Sequence, residues 1–229
     1  MIAAMPAWPV PLLAAAAAAC GALAILSAPW GLGQPWLNFV FKPLTTLLII
    51  VYAWPRGRSR PAVRRWVLIG LGLSWCGDVA LLWPDRGFLA GLVSFLLAHL
   101  AYLRGFTRDG VRLAARPLPF VLYAALAALI LWQLWPGVPP GLRVPVLAYV
   151  ACLATMAAQA AVLWRCQPAD AAARRLALGG ALFLASDALL AINRFALPLP
   201  MASLWILVTY WGAQVCIACW LPASRRPGG

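Results

Sequence analysis

Eight apolar runs, each close to the length needed to cross a bilayer, occupy nearly all of this chain. About 20 apolar residues match ~30 Å of hydrocarbon. A backbone in that medium has to satisfy its own polar groups, so such runs are expected to be helices. They are Trp8–Ser27, Trp36–Trp54, Ala62–Trp83, Phe88–Phe106, Pro117–Trp135, Arg143–Trp164, Ala171–Asn193 and Leu199–Leu221. Nothing is left over for a soluble domain. The expected architecture is an all-α integral membrane protein with eight transmembrane helices in one domain spanning residues 1–229. Composition agrees, with 65% hydrophobic residues, 10% charged residues and a mean hydropathy of +0.88. No Lys or Arg precedes the first run, so it lacks the basic leader of a secretory signal and reads as an uncleaved span.

A net charge of +13 in a chain without glutamate invites a nucleic-acid partner. The placement of the charge argues against one, because the basic residues are confined to short loops between apolar runs. Arg56, Arg58, Arg60, Arg64 and Arg65 follow the second run, Arg104, Arg108, Arg112 and Arg116 the fourth, and Arg165, Arg174 and Arg175 the sixth. Arg225 and Arg226 end the chain, while only Arg86, Arg143 and Arg194 fall on the opposite side. This alternation predicts that both termini are cytoplasmic, in the inner membrane of a bacterium. Trp30, Trp36, Trp83 and Trp135 then belong to an outer aromatic belt, and Trp54, Trp66, Trp164 and Trp220 to an inner one. The six cysteines, Cys216-x-x-Cys219 included, lack the surroundings of a redox motif and are expected to be packing residues.

Two acids stand inside apolar runs. Asp78 lies in the stretch Gly72–Phe106, which reads as two helices joined by the turn Pro84-Asp85-Arg86-Gly87, with His99 in the second helix. Asp187 lies in Gly179–Phe195. An ionisable group within a membrane helix costs several kcal/mol unless it has a partner or a wet cavity, so it marks a functional site by default. Each aspartate is followed by a Leu-Leu pair, an arginine (Arg86, Arg194) and a phenylalanine (Phe88, Phe195), the pattern of a four-plus-four pseudo-repeat. Counted from the expected helix ends, both lie about 8–9 Å below the outer interface.

Lys42 falls at a similar depth, flanked on its face by Asn38 and Thr46, and His99 lies deeper on a stripe of Phe88, Phe95, Tyr102 and Phe106. Tyr210 and Gln214 share one helix face, and Tyr149, Cys152, Met156 and Gln159 another. The expectation is one outward-opening pocket with an apolar lower part. Each of these residues also has a plainer role open to it. Tyr149, Gln159, Tyr210 and Gln214 serve equally as hydrogen-bonding glue between helices. Lys42 serves as a locking partner for one aspartate, His99 as a structural donor, and the two arginines as snorkelling side chains.

Two intramembrane acids against one lysine leave one carboxyl neutral unless His99 is charged. A neutral acid near an ionised one suits acid-catalysed cleavage of an acetal-like C–O bond, and in a lipid-facing pocket the fitting substrates are ether or vinyl-ether lipids.

Resemblance adds to this reading. Lys42-Pro43, Gly77-Asp78, Gly91, Ser94-Phe95, His99-x-x-Tyr102, Ser186-Asp187 with Leu189-Leu190-Ala191 and Phe195, and Tyr210 with Gln214 resemble the YhhN-type lysoplasmalogenase family, which includes vertebrate transmembrane members. The resemblance runs from the second helix to the eighth. It implies about eight helices and hydrolysis of the vinyl-ether bond of lysoplasmalogens to a fatty aldehyde and a glycerophospho-base. It also implies Asp78 and Asp187 as the catalytic pair.

The site expected from the sequence therefore has Asp78 and Asp187 as catalytic residues, supported by His99, Lys42, Tyr210 and Gln214. Asn38, Ser74, Ser94, Tyr102 and Tyr149 are the expected substrate contacts, with Arg86 and Arg194 for a lysophospholipid phosphate. No metal and no cofactor are called for. Two rivals stay open: a proton-coupled transporter built on the same intramembrane charges, and a zinc-dependent hydrolase using Asp78, Asp187 and His99.

Overall fold

The computed structural model describes residues 10–223. The start of the first run at Trp8 and the tail arginines Arg225 and Arg226 lie outside the described residues. Those described form eight α-helices and no strand: α1 Val10–Leu26, α2 Pro35–Ala53, α3 Pro61–Ala80, α4 Phe88–Phe106, α5 Pro117–Leu134, α6 Arg143–Cys166, α7 Ala171–Phe195 and α8 Ala202–Trp220. Proline opens α2, α3 and α5. Its fixed φ suits the first turn, where the missing N–H has no helical partner to lose. Six helices, α2 and α4–α8, are long and apolar enough to cross a membrane. Of the other two, α1 has 17 residues, and α3 carries Arg64, Arg65 and Asp78.

Two boundaries differ from the sequence expectation in ways that matter for the site. The third run was expected to continue to Trp83, but α3 ends at Ala80 and the chain turns through Leu81–Gly87, closed by a Gly87 N–H bond to the Trp83 carbonyl at 2.7 Å. The last helix begins at Ala202 rather than Leu199, because Pro198 and Pro200 cannot propagate it and Met201 takes a left-handed conformation (φ 53°). As a result Asp78 sits in the final turn of α3, whereas Asp187 lies about 12 Å inside α7 at ~1.5 Å per residue. The two acids are not at equal distances from their helix ends.

The most extensive helix pairings are α3 with α4 and α7 with α8. Both rely on a glycine at the same offset from the aspartate. A methyl group at Gly70 would overlap the Tyr102 ring of α4, and one at Gly179 would press on Cys216 of α8. Absence of a side chain lets the helices approach closely, the usual means of joining helices where no hydrophobic effect drives them together. Trp75 adds a tie, donating from Nε1 to the Pro43 carbonyl of α2 at 3.1 Å. The core is a set of rings between α3, α4, α6, α7 and α8, among them Phe95, Tyr102, Tyr149, Phe183 and Tyr210. The α5 helix stands outside it, packed chiefly on α6.

At the arginine-rich end the loops are clamped together. Arg60 pairs with Asp109 at 2.5 Å and donates to the Trp220 carbonyl at 2.9 Å, while Arg56 donates to the Leu221 carbonyl at 2.9 Å. Gln159 holds the α4–α5 loop by accepting from the Ala114 N–H at 3.1 Å and donating to the Arg112 carbonyl at 3.3 Å. It is therefore glue at this end and no part of an outward pocket. Trp220 also departs from its expected place in an interfacial belt: it is buried against Phe106 and under the Arg60 guanidinium.

Candidate active site

The opposite end contains a cavity between α4, α5, α6 and α7, about 850 Å³ with its open mouth included. Its walls are almost wholly apolar, from Leu92 and Phe95 on α4, Ile130 and Leu134 on α5, Leu153 on α6 and Leu184 on α7. Two residues with polar side chains interrupt them, Asp187 and Tyr149. The Tyr149 hydroxyl donates to Asp187 Oδ2 at 2.5 Å, and no cation lies beside this carboxyl among the described residues. One carboxyl oxygen is thus fixed from α6, leaving Oδ1 without a hydrogen bond from the described residues.

Asp78 is placed quite differently. It is 1% exposed and does not line the cavity. Its Oδ2 accepts from the Thr46 hydroxyl at 2.6 Å and the Tyr210 hydroxyl at 2.8 Å, and Oδ1 lies 3.8 Å from Lys42 Nζ. Trp211 Nε1 donates to Thr46 Oγ1 at 3.1 Å, so α2, α3 and α8 are tied around this one carboxyl. A second relay lies below it, in which Tyr102 donates to Gln214 Oε1 at 2.7 Å with the Ser74 hydroxyl 3.4 Å from Tyr102.

Rings separate the two aspartates. Phe95 lines the cavity and meets Tyr210 edge-on, with centroids 5.7 Å apart. Phe183 touches Tyr210 at 5.6 Å and His99 at 4.6 Å, and His99 meets the Tyr149 ring at 5.3 Å. The single pocket expected from the sequence is therefore two environments: an open apolar one around Asp187 and a sealed polar one around Asp78. His99 stands between them, fully buried, with neither ring nitrogen hydrogen-bonded among the described residues.

The remaining sequence candidates scatter. Ser94 donates to the Leu73 carbonyl at 2.7 Å and locks α4 to α3. Ser74 and Tyr102 belong to the sealed network, and Asn38 is half-buried on α2 away from the cavity walls. Arg194 does not line the cavity but stands against its wall, its guanidinium 5.2 Å over the ring of Phe88, which lines the cavity and meets Phe195 at 5.7 Å. It also reaches Asp85 at 3.4 Å. Arg86, one residue on from Asp85, is exposed. Sequence reasoning passed over Arg143, which opens α6 one turn above the cavity-lining Val146 and stacks on Trp135 at 5.2 Å. Its placement on the sparsely charged side was the available signal. It also passed over the apolar wall from α5, which carries no polar residue to mark it. Among the described residues no three His, Cys, Asp or Glu side chains gather as a metal site would require, so Asp78, Asp187 and His99 do not form the zinc ligand set of the rival reading.

Comparison with known proteins gives a consistent picture. The model of the YhhN family matches residues 37–220. Lysoplasmalogenase TMEM86B of Sus scrofa is 36% identical over 199 residues, covering 85% of this chain and 79% of that one. Lysoplasmalogenase TMEM86A of Homo sapiens is 31% identical, covering 84% and 81%. The uncharacterized membrane protein YhhN of Escherichia coli O157:H7 is 33% identical over 136 residues, covering 59% and 64%. No solved structure matches the chain.

Proposed function

The chain belongs to the YhhN family, and from that premise we propose that it is a membrane hydrolase of the lysoplasmalogenase type, releasing a fatty aldehyde from the vinyl-ether bond of a lysophospholipid. The observation that carries the reading is Asp187, an acid fixed by Tyr149 in an otherwise apolar cavity, with Arg194 stacked on the lining residue Phe88. A lysophospholipid has the same order of parts: a charged phosphate, a cleavable bond a short distance away, and a hydrocarbon chain.

The chemistry requires a proton donor and one water. Asp187 enters as the carboxylic acid and gives its proton to the β-carbon of the vinyl ether, forming the oxocarbenium ion. The carboxylate left behind, still held by Tyr149, takes a proton from the water that adds to that ion. The hemiacetal then collapses to aldehyde and glycerol hydroxyl, and Asp187 ends as the acid it began as. General acid–base catalysis of this kind contributes ~10²–10⁴-fold. Asp78 is kept as a candidate through a different role, a positioning residue whose ties to Lys42, Thr46 and Tyr210 hold Phe95 and the cavity wall in place.

For topology, we place eight crossings with both termini on the arginine-rich, cytoplasmic face. Support comes from the clamp that holds Trp220 and Leu221, at the end of α8, against the α2–α3 loop and Asp109. The helix ends with Arg143 and Arg194 then face the outer leaflet. The test is to incubate purified protein in detergent with lysoplasmenylethanolamine or lysoplasmenylcholine and measure free aldehyde. Absence of aldehyde from both substrates would reject the assignment.

A further inference from the structure

The cavity that holds Asp187 has an apolar neighbour. A second apolar recess, about 660 Å³ with its open side included, lies between α5 and α6, bounded by residues such as Phe120, Ala124, Ala128, Ala151 and Thr155. Ala127, Leu131 and Val150 line both spaces, which therefore lie side by side. Thr155 is the one polar side chain on the recess wall, and its hydroxyl is spent on the Ala151 carbonyl at 2.7 Å. The recess wall therefore has no free side-chain donor. Ala124, Ala128 and Ala151 are exposed, so it also opens sideways between the two helices.

Its direction identifies the occupant. The ends of α5 and α7 and the start of α6 form one rim, since Gly137 of the α5–α6 connection packs directly on the Phe195 carbonyl. At ~1.5 Å per residue Asp187 lies about 12 Å below that rim, and the recess continues to about 18 Å at Thr155 and about 21 Å at Phe120. A substrate with its reacting bond at Asp187 and its phosphate on the rim side has to send its hydrocarbon chain further from the rim. The α5–α6 recess is an apolar space running that way. It also reaches the lipid without passing the rim.

We propose that the α5–α6 recess is the binding site for the alkyl chain of a single-chain lysolipid, and the lateral route by which that chain enters from the bilayer. This rests on the hydrolase reading for the position of the bond, but the occupancy itself is open to measurement without catalysis. The probe is an uncleavable alkyl lysophosphatidylcholine carrying a diazirine at the chain end, photolysed on the full-length protein and mapped by mass spectrometry. Adducts are expected on the α5 and α6 residues of the recess, suppressed by excess unlabelled lysolipid. Adducts elsewhere, or equal labelling by a diacyl phospholipid with the same probe, would mean ordinary boundary lipid and overturn the proposal. In kinetics, Ala151→Trp should lower kcat/KM for a long-chain lysoplasmalogen at least tenfold while leaving a short-chain analogue within twofold. Ala124→Phe on the facing wall repeats the test should the first variant fold poorly. Equal loss on both substrates, or no loss on either, would overturn it. A wild-type protein that labels as expected yet releases no aldehyde would instead count against the hydrolase reading alone.

Discussion

The surroundings of Asp78 and Asp187 show how one residue type, in one membrane bundle, is handled in two opposite ways. Asp78 has two hydroxyl donors and an ammonium group around it and almost no exposure. Its Oδ2 is held by both hydroxyls, while Oδ1 has only the ammonium group at 3.8 Å and no hydrogen bond among the described residues. Asp187 has one hydroxyl donor, no cation among the described residues and a cavity in front of it. A half-buried acid that lines an apolar cavity, with one oxygen free of hydrogen bonds among the described residues, is poorly explained by stability and well explained by chemistry. The two acids thus differ in what distant helices bring to them: α2 brings Lys42 and Thr46 to Asp78, and α6 brings Tyr149 to Asp187.

The sharpest break of this contrast is Asp187→Asn. It removes the transferable proton while keeping size and the Tyr149 contact, so aldehyde release should fall by ~10²–10⁴-fold with helical content unchanged by circular dichroism. Near-normal turnover in that variant would reverse the roles of the two acids. For Asp78 the expected effect is on folding. Asp78→Ala leaves Lys42 buried without its partner, which typically costs ~3–5 kcal/mol, read as a lowered melting temperature in detergent. Removing both charges, as in Lys42→Met with Asp78→Leu, should recover much of that stability and a measurable fraction of activity. A double variant that is stable but as dead as Asp187→Asn would place Asp78 in the chemistry.

Smaller effects sharpen the comparison further. Tyr149→Phe deletes the bond to Asp187, and hydrogen bonds to charged groups are worth ~1.5–3 kcal/mol. A fall in kcat of roughly 10–100-fold with little change in KM is expected from steady-state kinetics. The equivalent deletion on the other side, Tyr210→Phe, should lower thermal stability more than turnover. The smallest change belongs to the rim. Arg194→Gln should raise KM about fivefold with kcat little altered, since an exposed arginine contributes of order 1 kcal/mol. The rise should vanish for a substrate analogue lacking phosphate, and Arg143→Gln provides the same measurement from α6.

Membrane class, helix number and the approximate span of each helix were legible in the sequence because hydrocarbon thickness sets run length, and short arginine loops punctuate the runs. So were the two acids, since a charge in such a run is too costly to be incidental. Which acid faces the cavity was not legible. That depends on the termination of α3 at Ala80, on the rings of Phe95, Phe183 and Tyr210 closing over Asp78, and on α5 completing a wall with no polar residue of its own. Tyr149 and Tyr210 looked alike as single tyrosines on helix faces, yet one points to the open acid and the other to the sealed one. Periodicity records which residues share a helix face. Only the packing of helices distant in the chain determines what each face meets, and so whether a buried carboxyl is occupied by its neighbours or left for a substrate.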